Sequence, residues 1–128
     1  MENQIELNPE PPKIEFWEDP NFYGTYEYIR TLFSYMTEGV YFMCEELKCY
    51  WLIDVINSYI PSLEMNEFYV CKFILNDDRQ SGTFTIDDGD DNIIITQNIM
   101  FTDITANVRL FLTTAPDKES VILLPSEY

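Results

Sequence analysis

The hydrophobic positions of the chain change period once, near its middle. Val40, Met43, Cys44 and Leu47 recur at the spacing of one helix face, and Thr37 stands ahead of them as an N-cap. The same spacing restarts in Leu52, Val55, Ile56 and Tyr59, which predicts either one long helix or two with a bend near Lys48 to Tyr50. Pro61 ends the segment, because the residue before a proline is pushed out of the α region. Glu38, Glu45, Glu46, Asp54 and Asn57 fall largely off the apolar stripe.

Beyond Pro61 the pattern turns to that of strands. Phe68, Val70, Phe73 and Leu75 lie in a β-branched and aromatic run, NDDRQSG makes a turn, residues 83–86 a short strand, and DDGDDN a second turn. Residues 92–101, 108–113 and 121–124 supply three more strands. Upstream, residues 22–35 are rich in aromatics. Thr25 is placed to cap a short helix carrying Tyr28, Ile29, Leu32 and Phe33, although the β-branched and aromatic content leaves a strand open. The expected fold is α+β: two or three N-terminal helices packed on one face of a four- or five-stranded antiparallel sheet.

A chain of 128 residues suits one domain with a core that needs no disulfides. Residues 1–20 stand apart, with Pro9, Pro11, Pro12 and Pro20 among acids and Lys13 as the one base; they read as an extended acidic arm before a single domain at 21–128. Phe16 and Trp17 are large enough to dock that arm on the domain.

Charge narrows the partners. The formal net charge is −16, from 23 acids against seven bases. Such a field repels nucleic acid and anionic membrane and attracts basic surfaces, the richest of which belong to nucleic-acid-handling proteins. Adaptation to high salt, or solubility alone, would give the same sign. Cys44, Cys49 and Cys71 form an odd set without a CxxC and read as reduced, buried thiols of a cytoplasmic protein. The N-terminus has no signal-like segment, and no apolar run reaches the roughly 18 residues of a membrane span.

Candidate chemistry is sparse. Histidine is absent, which excludes Ser-His-Asp and Cys-His arrangements and the commonest metal ligand; no catalytic residue, metal or cofactor is expected. DDGDDN lacks the order and the distal Glu of an EF-hand, so it reads as an acidic turn with Gly89 at positive φ. Cys44 and Cys49, five apart on a helix, would point to different faces and not to a zinc site. The nine tyrosines lie among acids and not bases, which suits protein recognition better than base stacking.

GTYEY at 24–28, YMTEGVYFMCEE at 35–46, YWLIDVINSY at 50–59, the DDG turn at 87–89, FTDI at 101–104 and the terminal LLPSEY resemble a family of short uncharacterised bacterial, phage and mobile-element proteins. That resemblance implies a genomic setting and no active site. In size and charge the chain also resembles small acidic decoys that fill a nucleic-acid channel, which implies an inhibitor of a basic protein, such as an anti-CRISPR protein against a type VI RNA-guided RNase. The contacts expected for such a partner are Asp77, Asp78, Asp87, Asp88, Asp90 and Asp91 on the two turns, with Glu15, Glu18 and Asp19 of the arm. An accessory binding module of a mobile element is the alternative reading, and a carboxylate enzyme the third.

Overall fold

The computed structural model describes residues 14–18, 27–64, 66–117 and 119–128. The two helices fall where the period placed them. In α1 (Glu38–Leu47) the Thr37 hydroxyl accepts the Val40 amide at 3.2 Å, and Lys48 in the left-handed region ends the helix. α2 (Tyr50–Tyr59) then restarts, followed by a 3-10 turn at Ile60–Ser62 that contains Pro61. The break at Lys48 resets the helical phase, so Cys44 and Cys49 do not point to different faces as an unbroken helix requires. Both are buried, and the Cys44 thiol lies 3.9 Å from the Cys49 carbonyl.

Five strands follow: β3 (Tyr69–Leu75), β4 (Gly82–Asp87), β5 (Ile93–Ile99), β6 (Val108–Thr114) and β7 (Ser120–Leu123). The sheet nevertheless differs from the expected one. Two further strands, β1 (Tyr28–Arg30) and β2 (Tyr35–Thr37), form a hairpin where a short helix was expected, and Thr25 lies outside the described residues. The result is a seven-stranded mixed sheet of order β1-β2-β7-β6-β3-β4-β5, in which β2 runs parallel to β7 and every other pairing is antiparallel.

Asn57 explains the hairpin. It is buried, against the expectation from its place off the apolar stripe. Its Oδ1 accepts the Phe33 amide at 2.7 Å and the Thr31 and Ser34 hydroxyls at 3.2 and 3.3 Å, while its Nδ2 donates to the Ile53 carbonyl at 2.9 Å. A tertiary acceptor thus satisfies the turn between β1 and β2, and a satisfied buried amide outweighs weak local helix propensity.

Side chains in register alternate between the two sheet faces. Phe73 opposite Phe84, and Cys71 opposite Ile86 and Leu110, build the core under the helices. Trp51 meets Phe73 edge-on at 5.5 Å and Tyr59 stacks on Phe84 at 6.2 Å, which seats α2 over β3 and β4. On the other face Phe68, Phe111 and Tyr128 form an aromatic trio with centroids 4.9 to 5.5 Å apart.

The chain end locks the mixed part of the sheet. Glu127 is buried, and its Oε1 accepts the Thr37 hydroxyl at 2.6 Å and the Leu124 amide at 2.7 Å. A carboxylate at the start of α1 also faces the positive end of the helix dipole. Gly39 permits this approach, since a Cβ there would lie 2.7 Å from Glu127 Oε2 and 2.8 Å from Leu124 Cδ1.

Two variants test the lock by urea or thermal unfolding. Glu127→Ala strips an acceptor from two buried donors and should cost about 3 kcal/mol. Gly39→Ala should destabilise despite a helix-propensity gain of about 1 kcal/mol, because the added methyl displaces the carboxylate. Unchanged stability in both would mean that the contact does not hold the chain end.

Candidate functional site

Of the nine acids singled out in the sequence, the eight described ones divide into two groups. The turn between β3 and β4 is built on Asp78, whose Oδ1 accepts the Gln80 and Ser81 amides at 2.9 and 3.1 Å and the Ser81 hydroxyl at 3.1 Å. Asp77 beside it is exposed. The turn between β4 and β5 uses two carboxylates in series. Asp87 Oδ1 accepts the Gly89 amide at 2.8 Å; Asp88 Oδ1 accepts the Asp90 amide at 2.9 Å, and its Oδ2 the Asn92 side-chain amide at 2.9 Å. Gly89 has a φ of 90°, as the turn reading required. Asp90 and Asp91 are exposed, whereas Asp87 is buried and offers a partner no contact surface.

The two turns lie at opposite ends of the sheet. They flank the six residues of β4, and a strand of that length spans about 20 Å. A single compact partner patch therefore does not contain both. The arm joins the first turn's end. Phe16 makes a parallel bridge with Asn107, the Asn107 amide donates to the Glu15 carbonyl at 3.0 Å, and the Trp17 amide donates to the Asn107 carbonyl at 2.9 Å. Asn107 Oδ1 in turn accepts the Leu75 amide at 2.8 Å, at the end of β3 where that turn begins. Glu15 and Glu18 are exposed there, and Asp19 lies outside the described residues.

Phe16 and Trp17 dock on the domain as expected, on opposite sides of the arm: the Arg109 guanidinium sits 4.9 Å from the Phe16 ring centroid and Trp17 meets Phe42 of α1 at 6.1 Å. With Leu124, Pro125 and Ser126 they border an open cavity of about 300 Å³. Among the described residues its lining carries Arg109 as the cation and Glu18 as the carboxylate.

Hydrogen bonding favours the charged form of two of the turn acids. Hydrogen bonds from the Gln80 and Ser81 amides hold the Asp78 carboxyl below its ordinary value, and the Asn92 side chain followed by the Asp90 amide does the same for Asp88. The thiols go the other way: the Cys49 contact and then burial raise Cys44, and burial raises Cys71. Neither thiol is poised as a nucleophile at neutral pH. Among the described residues no group of three or more Cys, Asp or Glu is arranged to hold a metal ion. No helix of the described residues is long and apolar enough to cross a membrane.

The strand expected at residues 92–101 is present, but its lack of charge had been given no role. Residues 92–102 carry no charge, and they form β5 at the edge of the sheet with its flanks. The signal was present as a gap in the charge pattern.

Because Asp78 and Asp88 have depressed folded values, the stability they add is full above the ordinary carboxylate range near pH 4 and is lost as pH falls through the folded values. Melting curves of the protein and of an Asp78→Ala, Asp88→Ala variant, taken from neutral pH to about pH 2.5, should differ most at neutral pH and converge in acid. A gap that widens in acid would contradict the assignment.

A comparison with protein families matches residues 20–128 to a family of unknown function, DUF6876. No curated protein and no solved structure matches the chain.

Proposed function

We propose that this chain, which belongs to the DUF6876 family, is an acidic binding protein that docks on a basic surface of a nucleic-acid-handling protein and obstructs it. The observation that carries the reading is the charge. With sixteen more acids than bases, most carboxylates would remain without a basic partner even if every Lys and Arg were paired. That field accelerates encounter with basic proteins and opposes encounter with nucleic acid.

The turn geometry supports it further. Asp78 and Asp88 are tied down by backbone amides and kept ionised, so a partner meets preorganised charge and loses little side-chain freedom on binding. Placed about one strand length apart, the two turns suit a groove long enough to receive phosphates along a backbone, such as the guide or target channel of an RNA-guided nuclease effector. Arm acids Glu15 and Glu18 extend the negative surface at one end.

The test measures guide loading on such an effector in the presence of the protein, at several salt concentrations. Binding should weaken at least about ten-fold between roughly 50 and 300 mM salt. The combined variant Asp77→Asn, Asp78→Asn, Asp88→Asn, Asp90→Asn and Asp91→Asn keeps at positions 78 and 88 the one side-chain oxygen that accepts the turn's backbone amides, and should lose both affinity and salt dependence. Salt-insensitive binding, equal in the variant, would sink the charge-driven reading. Tight binding of free RNA by the isolated protein would sink it equally.

A further inference from the structure

β5 is the last strand of the sheet, and among the described residues it has β4 on one side and no strand on the other. Edge strands of folded proteins are ordinarily blunted by charge, proline, short length or cover, because their free amides and carbonyls template further pairing. The opposite edge follows that rule: β1 has three residues and carries Arg30, ion-paired with Glu119 at 2.9 Å. β5 does not. It has seven residues, and in a chain of 23 acids and seven bases the segment 92–102 is the longest stretch without any charge or proline.

A bulge blunts only one end. The register to β4 shifts so that Ile86 faces Ile95 while Asp87 faces Ile93, which leaves Ile94 as the extra residue. Ile95 to Ile99 remain in regular pairing, and apolar side chains are exposed at either end of that run, Ile94 at 49% and Met100 at 84%.

Acids stand beyond both ends. Asp88, Asp90 and Asp91 precede the strand, and Asp103 follows it; the Thr102 amide donates to the Gln80 carbonyl at 2.7 Å and so holds that segment beside the turn that carries Asp77, Asp78 and Arg79, still negative on balance. We propose that β5 accepts, by strand addition, an extended segment of a partner protein that is apolar or β-branched in its middle and carries Lys or Arg at its ends. Main-chain hydrogen bonds along residues 95–99 provide the affinity, and the flanking acids select the basic ends. The inference rests on the reading of the protein as an acidic binding body, and it names where and in what form the partner docks. A second copy fits less well. Antiparallel pairing centred on Gln97 brings the acid-bearing ends of two like strands toward each other twice, where like charges repel.

The experiment uses the full chain and two labelled peptides of equal charge. One alternates valine and threonine between paired lysines; the other has prolines at alternate positions and cannot pair. Fluorescence anisotropy should give the alternating peptide at least about ten-fold tighter binding, and hydrogen exchange should slow, when it is bound, at those amides of residues 95–99 that point away from β4. Equal binding of both peptides overturns the strand-addition proposal and leaves the acidic-body reading standing. If neither peptide binds, both fall. A stable dimer whose β5 amides are protected without peptide overturns the proposal in favour of a second copy.

Discussion

The buried carboxylate of Glu127 sets what the remainder of this fold can be. It connects the last residues of the chain to the first turn of α1 through Thr37, and Thr37 is also the last residue of β2. One oxygen thus serves the chain end while the hydroxyl it receives serves the helix start. β2 needs that anchor. It offers three residues to the sheet and pairs with β7 in parallel, the less stable arrangement per residue, through Tyr35 with Val121 and Met36 with Ile122. Without a fixed helix start behind it, so short a strand would gain little from docking, and among the described residues the β1–β2 hairpin pairs with the rest of the sheet through β2.

Once the helices are fixed over β3 and β4, the placement of charge follows from topology. Successive turns of an antiparallel meander must lie at opposite ends of the strand they flank, so the acids of the two turns are separated by the length of β4. The separation relieves repulsion that a single cluster would concentrate. It also distributes negative charge along the body's length, and each turn meets the cost of its own charge locally, by hydrogen bonds from backbone amides to Asp78 and Asp88.

Much of this was legible in the residues, and the exceptions share a cause. Thr37, the phase restart at Leu52 and Pro61 placed both helices, and β-branched and aromatic runs bounded by turn residues placed the five strands after Pro61, because those signals are local. β1 and β2 have three residues each, too few to show a period, and the acceptor that makes their turn, Asn57, belongs to a different element. The parallel register of Tyr35 with Val121 joins distant segments that share no local pattern. The division of the acids is a different matter: the order of strands and turns already implied it, and only their treatment as one surface hid it. The burial of Asp87 was not implied, since the residue stands at the register shift that ends β4, a tertiary feature with no local signal.

The two sheet edges show how charge and pairing limit each other. An uncharged seven-residue edge such as β5 is a hazard in isolation, because β-branched side chains and free backbone groups favour stacking with other copies. Flanking charges act as gatekeepers for strands of this kind. Along the chain the charges nearest the strand are of one sign: Asp90 and Asp91 before it, Asp103 after it. Mixed charges would deter every partner about equally, whereas acids alone deter another acidic copy and leave the edge open to a strand with basic ends. The same excess of carboxylates that strains the compact body through self-repulsion therefore keeps the long bare edge of β5 from pairing with itself.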